Sequence, residues 1–144
     1  LPEKPKQSEI HIRAMSLDDL DLVTKVDQSA FSPIWQISAE YLRIAYNHAN
    51  LATVAEYEGK VTGFQISTAS STGGHLARLA VSPAVQGKGI GYALLQDLIY
   101  QLKRRGAESI TVNTQENNYA SLALYKKAGF SFTGEKYPVY RLSL

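Results

Sequence analysis

The sequence predicts one α/β domain of three layers, in which helices cover a mostly antiparallel sheet with a central pair of parallel strands. Three observations carry that prediction. Segments that alternate apolar and polar residues, as half-buried strands do, are interleaved with segments whose apolar residues recur every third or fourth position, as helices do. The order is mixed, running strand, two helices, three strands, helix, strand, helix and a last pair of strands. The central strand–helix–strand unit implies a right-handed crossover and a parallel pair, while tight turns elsewhere imply antiparallel neighbours.

From the amino end, Leu1 to Gln7 lacks the apolar core of a signal peptide, and residues 1–8 read as a flexible solvated tail before a single domain over 9–144. Ile10 to Ala14 alternates as a short strand. Ser16 with Asp19 three positions on has the spacing of a capping box, and Leu17, Leu20, Val23, Val26 and Ala30 then recur at helical spacing. Ser32-Pro33 breaks this helix from a second, Ser38 to Asn47, with Leu42 and Ala45 on one face. Leu51 to Tyr57 and Lys60 to Ser70 are rich in strand formers and flank Glu58-Gly59, a hairpin turn. Thr72-Gly73-Gly74 reads as the next reversal, into a strand from His75 to Val81 that Pro83 ends.

A longer helix opens near Gly89, with Ile90, Leu94, Leu98 and Leu102 as its apolar stripe. Lys103, Arg104 and Arg105 fall in its last turn and Gly106 follows. Cations there complement the helix dipole and glycine supplies a left-handed exit, so the basic triplet reads as a helix end rather than a binding patch. Ser109 to Thr114 is the next strand and Asn118 to Ala128 the last helix, stopped by Gly129. Phe130 to Lys136 and Val139 to Leu144 are the final strands.

Composition removes several kinds of chemistry. The 144 residues include no cysteine, which excludes a disulfide framework, a thiolate zinc site, an iron–sulfur cluster and a cysteine nucleophile. Fifteen basic against 13 acidic residues leave no basic stripe, so nucleic acid is not an expected partner. No apolar run approaches the roughly 20 residues of a membrane helix. His11, His48 and His75 lack ligand spacing, so no metal site is expected. A cytoplasmic protein is the default expectation, either monomer or homodimer.

The stretch that carries chemistry is Leu79-Ala80-Val81-Ser82-Pro83-Ala84-Val85-Gln86-Gly87-Lys88-Gly89-Ile90-Gly91. A strand ends at proline and a glycine-rich loop opens directly into a helix. Such a loop aims several backbone N–H groups at one point, and the helix amino end adds partial positive charge, which makes an anion cradle. Lys88 can add a full charge. A nucleotide-hydrolase loop needs Gly-Lys followed by Ser or Thr, but Gly89 follows Lys88. A dinucleotide fingerprint needs glycine at its sixth position, which is Tyr92 counted from Gly87 and Leu94 counted from Gly89. What fits is Gln86, Gly89 and Gly91 at the spacing Gln/Arg-x-x-Gly-x-Gly/Ala.

With those residues the sequence resembles the GNAT superfamily of acyl-CoA-dependent N-acetyltransferases, closest in pattern to its ribosomal-protein N-terminal (alanine) acetyltransferases. A strand of the type Leu-x-Val-x-Pro precedes the family's loop, as Leu79 to Pro83 does. The later family signature is matched by Asn118, Ser121, Leu124, Tyr125, Gly129 and Phe130. The resemblance spans about Ile10 to Leu144. It implies a GNAT-like fold, with the parallel pair splayed around coenzyme A, and direct attack of an amine on the thioester of acetyl-CoA. It further implies that Leu79, Ala80 and Val81 hold the pantetheine and that Gln86, Gly87, Lys88, Gly89, Ile90 and Gly91 hold the pyrophosphate. Asn118 would contact the pantetheine side, Tyr125 would protonate the departing thiolate, and Lys126 or Lys127 would reach the adenosine phosphate.

Two departures bear on the acceptor. The relatives' catalytic glutamate is matched by Asn113, which cannot take a proton, so the base is lost, replaced by water, or moved to a residue such as Glu116 or His75. Without a base, the site favours amines of low pKa. A peptide α-amine is roughly one-tenth neutral at pH 7, whereas a lysine side chain is neutral in about one molecule in 10³. The second departure is the short connection at Tyr137-Pro138, where peptide-modifying relatives have a longer loop. Phe31, Trp35 and Tyr41 lie near the link between the first two helices, which borders the acceptor site in relatives. The expected activity is acetyl transfer from acetyl-CoA to a primary amine, a peptide N-terminus or a small amine. The alternative is a non-catalytic acyl-CoA-binding sensor or complex subunit.

Overall fold

The computed structural model describes residues 9–71, 73–113, 119–133 and 139–144. Within them one sheet holds β1 (Ile10–Ala14), β2 (Leu51–Tyr57), β3 (Lys60–Ala69), β4 (Gly73–Val81), β5 (Ser109–Asn113), β6 (Ser131–Phe132) and β7 (Val139–Ser143), in the order β1-β2-β3-β4-β5-β7-β6. The helices are α1 (Leu20–Ala30), α2 (Ala39–His48), α3 (Ile90–Arg104) and α4 (Tyr119–Lys127). β4 and β5 run parallel and every other pair is antiparallel, which is the mixed sheet the segment order implies.

Two apolar layers sandwich the sheet. On one face Val23 and Val26 of α1 and Leu42 of α2 pack with Val54, Phe64, Ile66 and Ala80. On the other face Leu95, Leu98 and Leu102 of α3 pack with Leu76, Ile110 and Val112, joined by Tyr125 and Phe130. The predicted stripe of α3 is all buried, and each such aliphatic side chain contributes about 2 kcal/mol by leaving water. Lys103 and Arg104 close α3, Gly106 exits with φ 90°, and Arg105 donates to the Asn50 carbonyl at 2.7 Å.

Some local details differ from these expectations. Gly73 and Gly74 are strand residues, paired with Ser109 and Ile110, and α3 comes down on the second: a Cβ on Gly74 would stand 2.7 Å from Leu102 Cδ1. Ser16 and Asp19 form the expected capping box. Both the N–H and the Oγ–H of Ser16 donate to the Asp19 carboxylate, at 2.8 and 3.1 Å, and Asp19 also pairs with Arg13. The helix beyond Ser16 accordingly starts as a 3₁₀ turn, Leu17–Asp19, before α1. After Phe130 the described strand is only Ser131–Phe132, and residues 134–138, with Tyr137-Pro138, lie outside the described residues. Ser38 caps α2 as its type suggests, accepting from Tyr41 N–H at 3.1 Å, and Glu58-Gly59 turns with φ of 53° and 75°.

Candidate active site

β4 outlasts its parallel partner. The β4–β5 register ends at Leu76↔Val112, whereas β4 continues to Val81 in register with β3. A wedge therefore opens between the two strands toward the carboxyl end of β4. Ser82 N–H donates to Thr62 O at 2.8 Å, toward β3, so the pleat turns the N–H and C=O of Val81 and Leu79 the other way, into the wedge. Val81 O accepts there from Gln86 Nε2 at 3.4 Å. Of the three predicted strand residues, Ala80 is the exception. It pairs with Phe64, its side chain belongs to the core beneath α1 and α2, and it presents nothing to the wedge.

At the mouth of the wedge stands the amino end of α3. Pro83 to Val85 form a 3₁₀ turn after β4, and Gly87 and Gly89 adopt φ of 84° and 85°, a backbone that L side chains rarely hold. Nothing lies within 4 Å of a Cβ built on either, so they are glycine for conformation and leave the space in front of the loop open. The first helical bond runs from Ala93 N to Gly89 O, at 2.9 Å, which leaves the N–H groups of Ile90, Gly91 and Tyr92 outside the intrahelical ladder. Lys88 is exposed beside them, while the Ile90 side chain is buried and contributes only its backbone. This cluster of outward N–H groups, partial positive charge and one lysine suits a pyrophosphate, and the open strand edge suits an extended amide chain laid along it.

Gly91 ties the parts together. A Cβ there would meet Leu124 Cδ2 at 3.3 Å, Val81 Cγ2 at 3.6 Å and Leu79 Cδ2 at 3.9 Å, so the wedge, the cradle and α4 converge on one glycine. Tyr125 follows Leu124. Its ring is buried against Phe130 with centroids 5.7 Å apart, and burial pushes its hydroxyl pKa up from 10.0 to about 12. Lys127 lies over the Tyr92 ring at 4.3 Å, bracing α4 on α3, and Lys126 is exposed. Asn118 and Glu116 fall outside the described residues, so the shared face expected of Asn118 and Tyr125 does too.

On the opposite face of the sheet, under α1 and the α1–α2 link, the sequence reading missed a clamp. Arg78 of β4 reaches the fully buried Asp27 of α1 with Nε at 2.5 Å and Nη2 at 3.0 Å, donates to Trp35 O at 2.6 Å, and stacks over the Phe31 ring at 4.2 Å. Asp27 also accepts from Ile37 N–H at 2.8 Å. Two signals marked it: an arginine inside the apolar run Leu76 to Val81, and an acid on the apolar stripe of α1 between Val26 and Ala30. The clamp fixes the link, leaving Ile34, Trp35 and Tyr41 exposed. Asn113, at the end of β5, is exposed on this same face, beyond Thr111 and His75, whose Nδ1 lies 2.9 Å from Thr111 Oγ1. Among the described residues no three His, Asp or Glu side chains are grouped to hold a metal, and no helix is long and apolar enough to cross a membrane.

Comparison with known proteins places this geometry in a wider set. The model of the acetyltransferase (GNAT) family matches residues 20–130. The ribosomal protein bS18-alanine N-acetyltransferase of Escherichia coli is 28% identical over 120 residues, covering 83% of this chain and 80% of that protein. An uncharacterized N-acetyltransferase of Methanocaldococcus jannaschii is 30% identical over 120 residues, 83% of this chain and 76% of the other. Among solved structures, the Escherichia coli ribosomal-protein-S18-alanine N-acetyltransferase superposes with a TM-score of 0.82 at 23% identity, over 93% of each chain. The PaiA N-acetyltransferase of Thermoplasma acidophilum, solved with coenzyme A, gives 0.80 at 19% identity over 94% of this chain and 99% of that one.

Proposed function

The chain belongs to the acetyltransferase (GNAT) family and is an acetyl-CoA-dependent N-acetyltransferase, and on that premise we propose that its acceptor is the α-amine of a peptide. The single observation that carries the site assignment is the early end of the β4–β5 pairing beside the amino end of α3. The open groups of Leu79 and Val81 supply the hydrogen bonds of a missing strand to the pantetheine arm. The loop from Gln86 to Gly91, with the unpaired N–H groups at the head of α3 and with Lys88, receives the pyrophosphate. Asn118 is assigned to the pantetheine side by its match to the family signature.

Acetyl-CoA supplies an acyl carbon already activated as a thioester. The chain orients it, brings the amine to it from the α1–α2 face, and stabilises the sulfur that departs. Tyr125 serves that last role. A phenol pushed up to about 12 stays protonated at neutral pH and offers its hydrogen to the departing alkyl thiolate, a weaker base than the phenolate would be. Full proton transfer is uphill by that comparison, so hydrogen bonding during bond cleavage is the larger part of its effect.

Acceptor choice follows from Asn113, which leaves β5 without the carboxylate its relatives' pattern supplies, and from the lip of Ile34 and Trp35 that Arg78 holds beside the wedge. Relatives named for alanine α-amines agree with a peptide terminus. The test is free-thiol release from acetyl-CoA with peptides bearing a free α-amine, the same peptides blocked at that amine, and small primary amines. Release with free peptides alone is expected. Release only with small amines overturns the peptide assignment. Asn113 is also the observation that favours a non-catalytic acyl-CoA-binding role, and acetyl-CoA binding without release from any acceptor would establish that role.

A further inference from the structure

We propose that His75 is the proton acceptor for the incoming amine, standing in on β4 for the carboxylate that β5 lacks at Asn113. This rests on the acetyl-transfer reading above. His75 pairs with Thr111 one register step before the last β4–β5 pair, Leu76↔Val112, so it stands next to the apex of the wedge. Its neighbours Gly74 and Leu76 turn toward α3, which sends the His75 ring to the α1–α2 face, where Thr111 and Asn113 also point. The amine approaches on that face.

The ring is anchored at one nitrogen. Nδ1 lies 2.9 Å from Thr111 Oγ1, and with Nδ1–H donating to that oxygen the lone pair is on Nε2. The elements around it present Thr68 from β3, Thr111 and Asn113 from β5, Asp27 of α1 bound to Arg78, and Arg141 of β7 opposite Thr111. The one carboxylate in that set is committed to Arg78, so an imidazolium there has no counter-charge of its own and releases its proton readily. Half-burial also lowers the His75 pKa from its ordinary value, which leaves the ring unprotonated and free to accept a proton at pH 7.

The protons balance. Nε2 takes one proton from the acceptor ammonium and passes it to solvent. The freed nitrogen lone pair forms the new carbon–nitrogen bond to the thioester carbonyl carbon as the carbon–sulfur bond breaks. The second proton lost by nitrogen also passes to solvent, and the sulfur departs as a thiolate hydrogen-bonded by the Tyr125 hydroxyl, which keeps its own proton.

The test is kcat against pH at saturating peptide for wild type, His75→Gln and Thr111→Val, with acetyl-CoA affinity measured on each. Wild type is expected to lose half its rate only below pH 6.5. His75→Gln is expected to fall about 10²-fold at pH 7 and to regain rate as pH rises toward the α-amine pKa of about 8, with acetyl-CoA affinity unchanged. Thr111→Val, which frees the ring without removing it, is expected to lose rate by a smaller factor; it remains informative should His75→Gln fail to fold. A wild-type rate and pH profile in both variants overturns the His75 assignment. Wild type that transfers no acetyl group overturns the acetyl-transfer reading itself, and the assignment with it.

Discussion

With its ring against Phe130 and its hydroxyl pushed up to about 12, Tyr125 holds its proton through the pH range in which a peptide α-amine becomes neutral. Tyr125→Phe keeps the packing and removes only the donor. It is expected to lower kcat by about 10²-fold while leaving acetyl-CoA affinity and Tm near wild type. A matched fall in affinity would make the phenol a binding group. Asp19 gives a prediction of another kind. Hydrogen bonding to Arg13 lowers its pKa from 3.8 to about 2, so the pair stabilises the fold fully above pH 3.8 and the gain vanishes as pH falls through 2. That shift corresponds to about 2 kcal/mol. Urea midpoints between pH 5 and 2 should fall more steeply for wild type than for Asp19→Asn. At this scale the left-handed Gly87 and Gly89 were legible because motif spacing is a property of sequence. Arg78 and Asp27 were not, because 51 positions separate them and only the packing of α1 on β4 brings them together.

Elements meet where a side chain is missing or a charge is shared. α3 rests on β4 at Gly74, so Gly74→Ala, with its Cβ 2.7 Å from Leu102 Cδ1, should cost about 1–3 kcal/mol in urea unfolding. Leu102→Ala costs more alone, yet the double variant should fall short of the sum, since each change relieves the crowding of the other. Additive costs would mean that the strand shifts instead. The sequence reads Gly73-Gly74 as a turn because a turn and a close helix approach use the same residue, and only contact with α3 separates them. Between α1 and β4, Arg78→Met leaves Asp27 buried without its cation and should destabilise by about 3 kcal/mol or more. The same change unpins the Trp35 carbonyl, so emission of this single tryptophan should shift before global unfolding. An unchanged spectrum would mean the link is held by other contacts, such as Gln36 Nε2 to Phe31 O at 3.0 Å.

For the whole molecule, the mixed order of segments already implied a sheet that is antiparallel except at one central crossover, and the β4-α3-β5 unit supplies it. Register was not legible in the sequence. Where β5 stops pairing depends on the length of β4 against that of β5 and on the twist between them, and neither leaves a mark in hydropathy. Yet the proposed site rests on that stopping point, which opens Leu79 and Val81 beside the amino end of α3, while the pleat puts Asn113 and His75 on the face proposed for the acceptor. The near balance of charge is no argument against an anionic ligand when backbone N–H groups and one lysine do the binding. The most direct measurement is a calorimetric titration of acetyl-CoA into wild type and into Lys88→Glu, an exposed substitution that leaves the backbone unstrained. One site of micromolar affinity is expected in wild type, weakened about tenfold or more in the variant, a loss of about 1.4 kcal/mol. No heat with wild type, or equal affinity in both proteins, would contradict the placement of the pyrophosphate at the head of α3.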